Sequence, residues 1–124
     1  MPAVDRTKTC PFLLQVFCKT NEHHSLESFS STESLPSSDE VQVYAWPDST
    51  LREIADLVRD VVDEAKGKNS KQSIRLVYPD RQGKPVAVDL GILSNTTKGY
   101  IDSLTLSSIK FQTGDYLDVA IYVT

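Results

Sequence analysis

The chain has 124 residues, 40 % of them hydrophobic and 24 % charged, with 13 lysines and arginines against 17 aspartates and glutamates. That supports one domain with one modest core and is too little for two. A net charge of −4 argues against a domain that grips nucleic acid, which needs a basic face to neutralise phosphates. No stretch approaches the ~20 apolar residues of a membrane span.

Residues 1–9 are polar and read as an N-terminal tail, without the apolar stretch of a secretory signal. Residues 10–124 read as a single domain. Cys10–Lys19 (CPFLLQVFCK) is rich in strand formers, with Phe12, Leu14, Val16 and Cys18 on one face and Leu13, Gln15, Phe17 and Lys19 on the other. Both faces are partly apolar, which suits a central strand. Cys10 and Cys18 in one extended strand stand about 26 Å apart. A disulfide needs Cα atoms within about 7 Å, so two free thiols in a reducing compartment are expected.

Asn21–Glu40 is polar and dominated by serine, and predicts a loop at 21–40 that Leu26, Phe29 and Leu35 pin to the body. Val41–Trp46 (VQVYAW) is the second strand, ended by Pro47. Thr50-Leu51-Arg52-Glu53 fits a capping box, with Asp48 and Ser49 as alternative caps. Leu51, Ile54, Ala55, Val58, Val61, Val62 and Ala65 then repeat at helical spacing as far as Gly67, which predicts one long helix. Ser73–Tyr78 and Pro85–Leu90 flank the turn Asp80–Gly83 and predict a hairpin. Gly91–Tyr100 reads as a loop, and Leu104, Leu106, Ile109 and Phe111 as a packed connection. After the turn at Gly114-Asp115, Tyr116–Thr124 is the last strand.

This order predicts an α+β fold: a ubiquitin-like β-grasp, with a mixed sheet packed on one long helix and the first and last strands together at its centre.

Chemistry is harder to find. Cys10, Cys18, His23 and His24 are the ligand types of a metal site, yet their spacing lacks the close pairs zinc sites use. A surface histidine pair at a strand end and two apolar core cysteines are expected instead. Serine, cysteine and histidine are all present, but no nucleophile motif and no phosphate-cradling glycine loop occur. A conjugated ubiquitin-type modifier would need a Gly-Gly tail, whereas the sequence ends Ile121-Tyr122-Val123-Thr124 inside a predicted strand. The stronger lead is aromatic. Leu13, Phe17, Tyr44 and Trp46 fall on the sheet face away from the helix, with Tyr116 and Tyr122 extending it. That face is either a partner site or is capped by the serine-rich loop. Leu13, Phe17, Tyr44, Trp46 and Tyr122 are the candidate partner-binding residues. The strand Val41–Trp46 is the expected sheet edge, open to strand addition.

Several blocks resemble one family. Asp5-Arg6-Thr7-Lys8-Thr9-Cys10-Pro11-Phe12, His23-His24, Glu40–Trp46, Thr50–Glu53 and Gly114-Asp115-Tyr116-Leu117-Asp118-Val119-Ala120-Ile121 are similar, in order, to the Sin3-associated 18 kDa polypeptide family. The resemblance implies a ubiquitin-like fold and a non-enzymatic nuclear adaptor without cofactors. It implies partners in the Sin3–histone deacetylase corepressor. It also implies a splicing-linked assembly with Acinus- or Pinin-type proteins and an SR-related RNA-recognition-motif protein, peripheral to the exon junction complex. Direct contact with nucleic acid or membrane is not expected. The implied location is the nucleus, including nuclear speckles, with some protein in the cytoplasm.

Overall fold

The computed structural model describes residues 10–31 and 33–123; the predicted tail 1–9 lies outside the described residues. Five strands form one mixed sheet: β1 (Phe12–Thr20), β2 (Glu40–Ala45), β3 (Lys71–Pro79), β4 (Pro85–Ser94) and β5 (Tyr116–Tyr122). Their order across the sheet is β2-β1-β5-β3-β4. β1 and β5 run parallel at the centre, and the other pairs are antiparallel. This is the β-grasp arrangement expected from the order of elements.

One helix, α1 (Leu51–Val61), covers one face. It starts where the sequence places it: the Thr50 hydroxyl accepts from the Glu53 amide at 3.1 Å, and the Glu53 carboxylate accepts from the Thr50 amide at 3.3 Å. Such a cap stabilises the first turn by about 1 kcal/mol. Leu51, Ile54, Ala55 and Val58 pack on Leu14, Val16, Val43, Ile74, Leu117, Val119 and Ile121 to form the core.

The helix is shorter than its apolar spacing predicts. It stops at Val61, Val62 turns to φ −110°, ψ 109°, and only a 3-10 turn (Asp63–Lys66) follows. Adjacent β-branched residues and an aspartate weaken the last turn. Val61 is consequently exposed, while Ala65 returns to the core.

β4 departs in the other direction. Residues 91–94, expected to be loop, continue the strand to Ser94. Gly91 lies opposite Ile74 and Asp89 opposite Arg75, so Leu90 is the extra residue of a bulge. Gly91 has φ 135°, and a Cβ there would collide with Ile101. The glycine is a bulge residue rather than a strand end.

The connection 95–112 is packed, as its leucines suggest. A 3-10 turn (Tyr100–Ser103) is tied to the helix by Arg52, whose Nε donates to Asp102 at 2.6 Å and whose other nitrogen donates to the Ser94 carbonyl at 2.7 Å. Leu106 is buried beside Leu51 in the same core. Among the described residues no helix is long and apolar enough to cross a membrane.

Candidate functional site

The sheet face away from α1 is divided between a covered part and an open part. Over its centre lies the 21–40 loop, ordered as two 3-10 turns (Leu26–Phe29 and Ser37–Asp39). Phe29 is buried against Phe17 and Tyr116, with ring centroids 5.5 and 5.7 Å apart. Val77, Leu35 and Ala87 complete this second cluster.

Beside it sits a buried polar network. Asp118 has no exposed surface, in the middle of a central strand. Its carboxylate accepts from His23 Nδ1 at 3.0 Å, from His24 Nδ1 at 2.7 Å and from Arg75 Nε at 2.7 Å. Arg75 also donates to the His24 carbonyl. His24 Nε2 meets Asp39 at 2.8 Å. Both nitrogens of His24 therefore face carboxylates, and the ring satisfies them only as a double donor. Burial raises the Asp118 pKa, but the three hydrogen-bond donors outweigh it and hold the group below the usual carboxylate range. The network joins both ends of the loop to β3 and β5.

His23 Nε2 also meets the Ser73 hydroxyl at 3.1 Å, so Ser73, His23 and Asp118 line up as a nucleophile, base and carboxylate would. β3 is paired on both sides, to β4 and β5, so the ladders engage the backbone around Ser73. Asp118 is shared with Arg75 and His24, which spends its negative charge on fixing the loop. The same network corrects the expectation of a surface histidine pair: His24 is 5 % exposed.

The open part of that face carries Leu13 and Tyr44; the β2 edge beside it is open too, and its groove lies on the α1 side. β2 pairs with β1 only, so its outer backbone groups face away from the sheet. Val41–Trp46, with Glu53, Leu57, Asp60 and Val61 of α1, line a groove of about 740 Å³ along this edge. Its floor is apolar and its helix wall carries carboxylates. Leu57 and Val61 are exposed there, at 40 % and 62 %.

A sequence model of the Sin3 associated polypeptide p18 (SAP18) family matches residues 3–121. The chain belongs to that family. It is 45 % identical over 121 residues to the histone deacetylase complex subunit SAP18 of Arabidopsis thaliana, covering 96 % of this chain and 79 % of the relative. The human protein of the same name is 46 % identical over 121 residues, covering 95 % and 77 %. The Drosophila melanogaster one is 39 % identical over 119 residues, covering 95 % and 78 %.

Of the five predicted site residues, the SAP18 fold brings two to the open part and a third to the groove. Leu13 and Tyr44 are direct cross-strand neighbours, 44 % and 66 % exposed. Trp46 is half-buried at the end of the groove. Phe17 is fully buried under Phe29 and Tyr116, so it is a core residue and offers a partner no surface. Tyr122 is exposed but lies roughly 26 Å along the sheet from Leu13, beyond reach of one small patch.

Cys10, Cys18, His23 and His24 are not gathered. Of the two cysteines expected in the core, Cys18 is buried, but Cys10, just before β1, is exposed. Cys18 packs in the helix-side core, whereas His24 packs on Phe29 across the sheet. Burial, then the Asp118 and Asp39 carboxylates, push the Cys18 thiol up to about 12, which makes it a poor nucleophile and a poor ligand. Among the described residues no group of three or more histidines, cysteines or acids is placed to hold a metal. What sequence reasoning missed is the Asp118–Arg75–Asp39 cluster. One local signal existed: a lone carboxylate inside the apolar run Leu117–Ile121.

Proposed function

We propose that this chain is a non-enzymatic nuclear adaptor that holds an extended segment of a larger protein on its β2 edge. The segment adds a strand beside β2; its apolar side chains on the α1 side seat in the groove against Trp46, Leu57 and Val61, and those on the other side meet Tyr44. Asp60 on the helix wall favours lysine or arginine in the segment, whereas Asp56 is already paired with Arg59 and Arg52 and Glu53 caps Thr50. The observation that carries this reading is the coincidence, on one side of the molecule, of an unpaired strand edge and an apolar groove.

The names of the relatives support membership of a histone deacetylase complex of the Sin3 type. We extend the reading to a splicing-associated assembly containing an Acinus- or Pinin-type protein and an SR-related RNA-recognition-motif protein. In both assemblies the chain contributes a docking surface, not chemistry, and contacts neither nucleic acid nor membrane directly.

A pull-down from nuclear extract with the wild-type chain and Trp46→Ala, read by mass spectrometry, tests the reading. Wild type is expected to retain Sin3-type or Acinus- or Pinin-type partners. Trp46→Ala is expected to bind more than about tenfold more weakly, a loss near 1.4 kcal/mol, with unchanged melting. Equal retention by both proteins removes the groove from the account. Retention of neither partner class removes the adaptor role.

A further inference from the structure

We propose that Ser37 is a phosphorylation site for an acid-directed protein kinase, and that its phosphate strengthens docking of a basic segment along β2. The second part rests on the edge-docking reading of the function; the first part stands without it.

The serine-rich loop uses most of its hydroxyls internally. Ser25 and Ser28 pair at 3.1 Å, Ser30 donates to the Glu27 carbonyl at 2.7 Å, and Ser31 donates to Ser34 at 3.1 Å. Ser34 itself donates to the Ser28 carbonyl at 3.1 Å. Ser37 and Ser38 differ. Both are exposed, and neither hydroxyl makes a hydrogen bond among the described residues. Ser37 is followed by Ser38-Asp39-Glu40, which puts carboxylates two and three residues downstream. A kinase whose cleft is lined by lysine and arginine reads that pattern through charge-assisted hydrogen bonds. Ser38 has Val41 at the third position instead. Ser30 has Glu33 there, but its hydroxyl is engaged.

Ser37 opens a single 3-10 turn, Ser37–Asp39, which buries no residue. Presenting it to a kinase frees Asp39 from His24 and Glu40 from Gln15 and Gln42, so the carboxylates exchange these partners for the kinase's cations while the core side chains stay in place. In the transfer the Ser37 oxygen bonds to the γ-phosphorus of ATP as the bond to the bridging oxygen breaks. ADP leaves, and the hydroxyl proton passes to the kinase's carboxylate base.

The consequence is electrostatic. Asp39, Glu40, Asp63 and Glu64 line a hollow of about 910 Å³ that shares Val41, Gln42 and Val61 with the β2 groove. The cation on its wall, Lys19, is held by Glu22 at 2.6 Å. A phosphate beside Ser38 adds a charge of about −1.5 to −2 at that end of the groove, where a docked lysine or arginine gains a partner.

The test treats the full chain with a purified acid-directed kinase, ATP and magnesium, and maps phosphate by mass spectrometry. Incorporation is expected at Ser37 and lost in Ser37→Ala. Glu40→Gln keeps the acceptor and is expected to slow incorporation about tenfold, the worth of one charge-assisted contact. No incorporation, or incorporation mapped to another serine, overturns the assignment. Fluorescence anisotropy with a labelled peptide of alternating lysine and valine then compares the two forms. The phosphorylated chain is expected to bind it about threefold more tightly, an advantage that shrinks with salt. Equal affinity overturns the effect on docking alone. Failure of both forms to bind the peptide counts against edge docking, and the Ser37 assignment then rests on the mapping.

Discussion

Asp118 is the residue on which the covered face depends. A carboxylate with no exposed surface is tolerated there because His23, His24 and Arg75 all donate to it. Removing one partner of such a buried set commonly costs about 3–5 kcal/mol, since the remaining charges are left uncompensated. Asp118→Asn is therefore expected to melt well below wild type at neutral pH. The pH dependence has a definite sign. The folded Asp118 pKa is held below its unfolded value of about 3.9, so its contribution is present above that pH and is lost as pH falls through the folded pKa. Melting temperatures measured from pH 6 to pH 2 should fall less steeply below pH 4 for Asp118→Asn than for wild type. Parallel curves would show that Asp118 is not the ionised centre of the network.

Among the elements, the 21–40 loop is the least conventional. It acts as a third layer over part of the sheet, and Phe29 is its apolar anchor. Phe29→Ala removes the ring that covers Phe17 and Tyr116 and should cost up to about 3–5 kcal/mol where the loop stays docked. Limited proteolysis should then cut within residues 26–38 much faster than in wild type. An unchanged cleavage rate would mean that the histidine network, not Phe29, holds the loop down.

The elements legible in the sequence were those set by local rules. The Thr50–Glu53 cap, the alternation in β1, β2 and β5, and the turn at Asp80–Gly83 each depend on neighbours a few residues away. Two errors came from local signals overridden by packing. Gly91 looks like a strand terminator but forms a bulge that passes Ile101. Val61 and Val62 continue the apolar stripe, yet the helix unwinds at Val62. The candidate site was legible in half. Tyr44 and Trp46 were placed by period-two alternation, with the edge position of β2 following from the fold. The fate of Phe17 depended on whether a loop would fold back over it. The partners of Asp118 are separated from it by as many as 95 residues in sequence, and no local pattern announces them.

At the scale of the molecule, the β-grasp leaves two edges, β2 and β4, and one face already covered. The two faces of the sheet thus do different work. The helix side supplies the main core, and the loop side is locked by ion pairs and a small aromatic cluster. The β4 edge has a groove of its own, of about 670 Å³, lined by Val88, Leu90, Tyr100 and Ile109. The proposed docking uses the β2 edge, where backbone hydrogen-bonding capacity meets an apolar groove with carboxylates on its wall. The acidic wall of α1 gives the groove a sign preference, and Ser37 stands where that preference can be increased.

The central claim is strand addition at β2, and amide hydrogen exchange tests it most directly. The chain is measured free and in complex with the partner segment recovered from nuclear extract. The outward-facing amides of Val41–Trp46 should slow strongly in the complex, because they gain partners in a new ladder, while those of β4 stay unchanged. Protection confined to β4 or to the 21–40 loop, with β2 exchanging as in the free chain, would contradict the account.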